Sequence, residues 1–484
     1  MSTPETYLSE QSQLRLTSHP LQRVGAFALT ALADADRGTG PEDLLPDAFE
    51  AAMAQVTRHA IQAALVRDSK GTQGFWLKAS FSFFPNAPMN HPGNGKKSDD
   101  TVRNAVQAWH TLPDPASWPE GVSCVLCNRT AVGFYGKLDI ALAESDAYRN
   151  TTPRGHAGMA LCRPCRASFH ALPYGCQLTG GSSIALHSWD DRFLSRAINR
   201  QAAYNCQIAM IGSPGLRQTE ARETLALNAL RRYGERLSAG VELMVFNNNN
   251  RGQSLEIHSL EQPLAEWLRH TSRDGGMRRK FTALLRAHAF HGTPGVVALG
   301  RNAFRSPQRI ISTGRQRLIR LTSAAEPDRE QIADLAAVLY SFVAKVMLMN
   351  EKDLSEIRET ARRIATLLAV EETGGKLRQL RSYLNTSSRL LRIWLTGRAV
   401  QWAVESPPGV TGPMVSERAF ALLFDPDSDN AAWYHRDLLL IGVLEELSRL
   451  GWTAKSAADE NKNEIDEELS TLDKKYLEDT EEEQ

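Results

Sequence analysis

The sequence lacks the features that mark a membrane protein, a secreted protein or a strongly charged one. None of its segments approaches the roughly 18 uninterrupted apolar residues that a membrane-spanning helix needs, so we expect no membrane association. Residues 1–7 contain neither the basic nor the apolar region of a secretory signal, which predicts a cytoplasmic location. With 42% hydrophobic and 23% charged residues, the 484-residue chain has the composition of a globular protein of about two to four domains.

Residue patterns of common enzymes are missing as well. The chain contains no glycine-rich phosphate-binding loop of the P-loop type and no convincing cluster of carboxylates and histidines. These absences predict a protein that is not an enzyme and has no catalytic residues.

Six cysteines are present, and four of them form two C-x2-C pairs separated by 34 residues: Cys124 with Cys127, and Cys162 with Cys165. Two intervening residues allow one tight turn to aim both thiolates at the same ion, and four thiolates complete the closed tetrahedral set of a structural Zn²⁺. The spacing therefore predicts a structural zinc site. Disulfides and a redox C-x2-C are weaker alternatives, because nothing indicates secretion and the two pairs match. Cys176 and Cys206 are expected to be ordinary buried thiols.

A metal-dependent nuclease is a further alternative, because some nucleases combine two such pairs with nearby histidines. His170 follows the second pair, and His156 is the only histidine between the pairs, with no acidic residue beside it. A general base and a ligand for a catalytic metal would both have to come from elsewhere. We therefore reject a nuclease and expect both histidines to lie at the surface or behind the metal ligands.

The charge is distributed unevenly along the chain, although it sums to zero. Residues 456–484 contain 12 acidic residues and 3 lysines, which leaves 53 basic and 44 acidic residues in 1–455, a net charge of +9. Residues 267–320 alone contain 12 Lys or Arg and one acid, Asp274. For this segment we favour nucleic-acid contact over a solvated basic face. The cations expected to contact phosphates lie beside glycines: Arg278, Arg279, Lys280, Arg315, Arg317 and Arg320.

Residue periodicity predicts an α+β fold whose N-terminal mixed domain carries an inserted four-cysteine zinc-binding module. Helices are expected in residues 1–67, and an alternating aromatic strand in residues 74–85. Two alternating runs, 240–246 and 254–260, predict a hairpin around an Asn/Gly-rich link. Side chains of that link could contact base edges, although a simple turn is at least an equal alternative. The residues of this base-reading hypothesis are Asn248, Asn250, Arg251 and Gln253.

From residue 327 onward, apolar residues recur every three or four positions, which predicts an antiparallel helical bundle. The acidic tail is too charged to be buried and is expected to be disordered. The expected domains are an N-terminal domain at 1–265 with the zinc-binding insertion at about 121–168, a basic connector at 266–322, the helical bundle at 323–452 and the acidic tail at 453–484.

Taken in order, these features resemble the large subunit of a type I CRISPR surveillance complex, Cascade, in its zinc-ribbon-bearing branch. The features are an aromatic segment leading into Phe83-Phe-Pro-Asn86 and Asn90-His-Pro92, the two cysteine pairs, the hairpin at 241–258 and the C-terminal helices. The resemblance spans roughly residues 75–450. Its specificity lies in the order of the motifs, because each motif other than the cysteines is weak alone.

The resemblance implies a noncatalytic protein that binds other Cascade subunits and crRNA, reads the short PAM in double-stranded target DNA and helps to open the duplex. It also implies that the helical domain recruits a separate helicase-nuclease in trans. The alternative is a stand-alone zinc-ribbon DNA-binding regulator, which would bind DNA without copurifying RNA or other subunits.

Overall fold

The chain divides into two compact units, Met1–Ala265 and Glu266–Gln484. In its described residues the fold is α+β, with 17 α-helices, two small sheets and a cluster of four cysteines. The computed structural model describes residues 10–33, 39–66, 75–143, 158–179, 181–211, 221–249, 252–290, 292–324, 326–370, 374–406, 412–424 and 429–453. The predicted acidic tail at 453–484 lies almost entirely outside these residues.

The first unit is organised around helix α1, Pro20–Leu32, which is buried on nearly every face. The His19 side chain caps its first turn by accepting a hydrogen bond from the Gln22 backbone N–H. The helices Arg163–Gly175 and Asp191–Ile211 pack against α1. The other α-helices that the structure describes wholly within this unit are α2 (Pro46–Val66), α3 (Phe75–Phe83), α4 (Asp99–His110), α5 (Arg163–Gly175), α6 (Asp191–Ile211) and α7 (Arg222–Arg232).

In its described residues the first unit has two antiparallel sheets, one of two strands and one of four strands that pair in the order in which they occur along the chain. The predicted hairpin is confirmed, because β5 and β6 pair from Val241 opposite Leu260 to Asn249 opposite Gly252. The strands are β1 (Gly133–Tyr135), β2 (Met159–Leu161), β3 (Cys176–Leu178), β4 (Ser183–Ser188), β5 (Val241–Asn249) and β6 (Gly252–Leu260).

The strand predicted in residues 74–85 is wrong, because residues 75–83 form helix α3. The alternation in Phe81-Ser82-Phe83 suggested a strand, but Phe81 is exposed and Phe83 is buried. Residues on one face of a helix recur at intervals of three and four. The buried positions of this segment follow that rule: Trp76, Leu77, Ala79, Ser80, Phe83 and Phe84.

In its described residues the second unit consists of helices and connecting turns, with one isolated β-bridge between Phe290 and Thr293. The segment predicted as a basic connector folds into four helices, of which the first begins just before the unit boundary. Asp328 is the N-cap of α12 and accepts a hydrogen bond from the Gln331 backbone N–H at 2.9 Å. The helices are α8 (Gln262–Arg273), α9 (Arg278–His288), α10 (Gly295–Arg305), α11 (Arg309–Thr322), α12 (Arg329–Lys345), α13 (Glu351–Ala369), α14 (Gly375–Thr386), α15 (Ser388–Glu405), α16 (Glu417–Phe424) and α17 (Asp429–Arg449).

The predicted apolar stripes of the bundle are confirmed as core. Ile332, Leu335 and Leu339 of α12 are fully buried, as are Ile357 and Ala361 of α13. Helices α12 and α13 both pack against α17, so these three helices share one core. Throughout the described residues of both units, each helix is too short or too polar to cross a lipid bilayer.

Candidate metal centre and basic surface

The first cysteine pair lies on a tight turn next to β1. The Cys124 backbone N–H donates to the Arg129 carbonyl at 2.7 Å, and the Asn128 N–H donates to the Cys124 carbonyl at 2.9 Å. Asn128 has a φ of 62°, a left-handed conformation that asparagine tolerates better than most residues. This turn brings the Cys124 and Cys127 side chains to the same side.

The second cysteine pair lies where β2 meets α5. Cys162 is the N-cap residue of α5, and Cys165 lies in its first turn. The two-stranded sheet joins this pair to the first one, since the Val125 N–H donates to the Ala160 carbonyl at 2.9 Å and the Val132 N–H to Leu161 at 2.8 Å. Backbone pairing therefore fixes the separation of two cysteine pairs that are distant in sequence.

Gln11 adds a side-chain link between the two pairs that sequence reasoning missed. Its amide oxygen accepts from the Arg163 backbone N–H at 2.9 Å, and its amide nitrogen donates to the Thr130 carbonyl at 3.2 Å. Gln11 is fully buried, so losing either contact would leave a polar group unsatisfied. No local sequence pattern identifies this role, because the partners lie 119 and 152 positions away.

The four sulfur atoms lie within 4.8 Å of one another, and Cys127 Sγ is 3.4 Å from Cys162 Sγ. All six cysteines are free thiols, so the disulfide alternative is not supported. Cys127 is half-buried and the other three members of the cluster are buried. The cluster can hold one metal ion.

The thiols of the cluster shift one another's pKa in opposite directions. Hydrogen bonds from Cys127, Cys162 and Cys165 lower the pKa of the Cys124 thiol. The contact with Cys124 raises the pKa of the Cys165 thiol, and the other two sulfurs raise it further. Four adjacent thiolates repel one another unless a positive ion lies between them, so full ionisation of the cluster requires a metal.

His170 is buried in the core, so a surface position, one of the two expected for it, is wrong. Its ring packs at centroid distances of 4.3 Å from Trp109 and 4.9 Å from His110. Burial lowers the pKa of His170 well below its ordinary value. The imidazole is therefore neutral at physiological pH. His156 lies outside the described residues.

Cys176 is buried, as predicted, whereas Cys206 is half-buried. Burial raises the pKa of Cys206 to about 11. Both cysteines are therefore thiols at neutral pH.

The base-reading hypothesis does not fit Asn248. This residue is fully buried, its amide nitrogen donates to the Phe83 carbonyl at 2.7 Å, and its oxygen accepts from the Gln253 amide at 2.7 Å. Gln253 also donates to the Ala143 carbonyl at 3.0 Å. Both side chains hold the hairpin against neighbouring segments. Asn250 and Arg251 lie outside the described residues.

Two of the predicted phosphate-binding arginines are held in ion pairs within the second unit. Arg279 bonds to Asp334 at 2.6 Å and also pairs with Glu330, both on α12. Arg315 pairs with Asp437 and donates to the Asn385 side chain at 3.1 Å. These arginines bind helices to one another, which makes them poor candidates for contacting an external phosphate.

Three other arginines lie close enough for two of them to affect the third electrostatically, and they are here called the arginine cluster: Arg286, Arg317 and Arg320. Burial lowers the pKa of the Arg317 guanidinium, and the charges of Arg320 and Arg286 lower it further. Arg286 and Arg320 are exposed, and neither forms an ion pair with any residue that the structure describes. The predicted cations Arg278 and Lys280 lie on the same helix as Arg286, with Arg278 exposed and Lys280 half-buried.

Arg286 was missed because no glycine lies beside it in the sequence. Arg278 and Arg286 are two helical turns apart, a spacing that places them on one face of α9.

Comparison of the chain with protein-family models, curated proteins and solved structures found no match.

Proposed function

We propose that this chain is a noncatalytic subunit of an RNA-guided DNA-binding complex, similar to the Cascade large subunit in its zinc-bearing branch. In that role it binds crRNA and other subunits in the cytoplasm, reads a PAM in target duplex DNA and recruits a helicase-nuclease. The arginine cluster supports nucleic-acid binding, and the order of the sequence motifs supports the Cascade assignment. A closed four-thiolate site supports a structural ion over a catalytic one.

The ion proposed for the cysteine cluster is Zn²⁺. Thiolates bind zinc at about 2.3 Å, and a tetrahedron of that size places its sulfurs about 3.8 Å apart. The cluster meets this requirement, with one sulfur pair at 3.4 Å and all four within 4.8 Å. Four protein ligands leave no position for a water or a substrate. The ion would then link α5 to the turn before β1 and perform no chemistry itself.

The arginine cluster carries the nucleic-acid part of the proposal. Binding of a polyanion lowers the free energy of positive charges that repel one another, because its phosphates take the place of acidic partners. Such contacts are independent of sequence, so they hold a duplex or heteroduplex in place while base pairing or PAM contacts supply specificity.

The test is the double variant Arg286→Gln and Arg320→Gln in the full-length chain, assembled with its copurifying RNA and subunits. Both residues are exposed, so the thermal unfolding midpoint should stay unchanged. Affinity for DNA should fall equally for target and non-target sequences. The slope of log K against log salt should flatten by about 0.9 per lost phosphate contact on duplex DNA, or about 2 in total.

The matched control removes two exposed arginines from the first unit, Arg58→Gln and Arg103→Gln, which likewise form no ion pair with any residue that the structure describes. This variant has the same net charge, so it corrects for the general attraction between a basic protein and DNA. Equal loss of affinity in both double variants would mean that net charge alone drives binding. An unchanged slope in the Arg286/Arg320 variant would remove the arginine cluster from the nucleic-acid interface.

A further inference from the structure

A cleft of about 670 Å³ opens in the first unit beside the first cysteine pair. Its walls come from residues 15–18 and Arg23, from the turn 123–128, and from Trp189 at the end of β4. This volume falls in the range of about 300–1,000 Å³ that is typical of small-molecule sites. The metal centre shapes one wall, because Cys124 and Cys127 are both part of it.

Trp189 is exposed but held in a fixed position. Its relative exposure is 49%, an unusual fraction for the largest apolar side chain. The Arg23 guanidinium lies 4.9 Å from the ring centroid, and the His187 ring meets it edge-on at 4.8 Å. Arg23 is itself paired with Asp191. The indole is thus a preformed aromatic platform whose remaining surface lines the cleft.

Apart from the thiolates of the metal centre, the charged side chains that line the cleft among the described residues are Arg15 and Arg23, and no Asp or Glu is present. Arg23 is already paired with Asp191, so Arg15 is the cation available to a ligand. Arg15 is exposed and has no acidic partner among them. Val125 is 53% exposed and Leu126 half-buried, so the turn between the first two cysteines supplies an apolar wall.

The geometry points to a binding site for one unpaired nucleotide of a single-stranded nucleic acid, with its base stacked on Trp189 and a neighbouring phosphate contacted by Arg15. An aromatic platform binds any base through its π face, and a nearby cation follows the backbone. A base within a duplex has no free face to offer, so the site selects a strand end or an unpaired position. This assignment rests on the proposed function, because that function is the reason to expect a nucleic acid as the ligand.

The experiment compares Trp189→Ala, Trp189→Phe and wild-type full-length chain, using fluorescence anisotropy with a ten-nucleotide oligothymidylate probe. Stacking is worth about 1–3 kcal/mol per base, so Trp189→Ala should bind about 5- to 160-fold more weakly. Trp189→Phe should retain most of the affinity because it keeps an aromatic face. Arg15→Gln should flatten the salt slope by about 0.7, the value for one single-strand phosphate contact.

Tyr204→Ala is the matched control, because Tyr204 is a 59% exposed aromatic residue of the same unit that lies outside the cleft. It should bind as wild type does. A probe carrying 5-iodouracil should crosslink to Trp189 on irradiation, with mass spectrometry locating the adduct. Wild-type affinity in Trp189→Ala, equal losses in the Phe and Ala variants, or a crosslink confined to other residues would overturn the assignment.

The same assay separates this inference from the proposed function. Loss of binding in the Arg286/Arg320 variant but not in Trp189→Ala would overturn the cleft assignment and leave the proposed function standing. If the wild-type chain binds neither single-stranded nor duplex nucleic acid, alone or in its assembly, both are wrong.

Discussion

At the scale of single residues, the metal centre depends on side chains that differ greatly in how visible they are in the sequence. The four cysteines are identified by spacing alone, because two residues between thiolates is a local geometric requirement. Gln11 is not, since its partners are Thr130 and Arg163, and only the folded chain brings them together. Local chemistry could be predicted, whereas the polar contacts that support it could not.

We expect Cys124→Ser to lose stoichiometric metal and to lower the free energy of unfolding of the full-length chain by about 3 kcal/mol or more. Metal binding contributes to folding when the site forms only in the folded chain, and a serine hydroxyl is a poor zinc ligand. Plasma mass spectrometry and urea denaturation measure the two quantities.

Cys206→Ser is the matched control, because Cys206 is a half-buried thiol outside the cluster. It should retain its metal and nearly all of its stability. Metal-free wild-type protein, purified without chelator, would show that the cysteine cluster has a different purpose.

At the scale of secondary-structure elements, local alternation was reliable where turn chemistry supported it. The β5–β6 hairpin was predicted correctly because two alternating runs flank a link of asparagine and glycine. Residues 75–83 lack such a turn, and a short aromatic run fits both periods. Burial of Trp76, Leu77 and Ser80 on one side shows that tertiary packing selected the helix.

The contact between α1 and α5 gives a prediction at this scale. An added Cβ on Gly25 would lie 1.8 Å from the Ser168 carbonyl oxygen, a backbone atom that cannot rotate away. We expect Gly25→Ala to force the two helices apart and to lower the free energy of unfolding by about 2–3 kcal/mol. Thermal and urea denaturation of the full-length chain measure the effect.

Gly397→Ala serves as its control, because Gly397 lies within α15 and a Cβ there meets nothing within 4 Å. Alanine should raise stability at that position by about 0.5–1 kcal/mol, since it favours the helix more than glycine does. If neither Gly25→Ala nor Gly397→Ala lowers the free energy of unfolding, α1 and α5 are not in close contact at Gly25.

At the scale of the whole molecule, charge counting along the sequence finds the basic segment but not which of its charges are available. Arg279 is paired with Glu330 and Asp334, which lie 51 and 55 positions further along the chain. Arg315 is paired with Asp437, which lies 122 positions away. Arg286 and Arg320 remain without an acidic partner in the described residues. Availability is a property of tertiary structure, so the sequence could locate a basic surface without identifying its free members.

The role proposed for this chain makes it a noncatalytic part of an RNA-guided complex. The most direct measurement is to isolate a tagged full-length chain from the cells that produce it and to identify the copurifying RNA by sequencing and the proteins by mass spectrometry. The account predicts short RNAs that share a constant repeat-derived end, together with several protein subunits in fixed ratios. Recovery of the chain alone, without RNA and with full affinity for DNA, would contradict the claim and favour the stand-alone zinc-ribbon regulator.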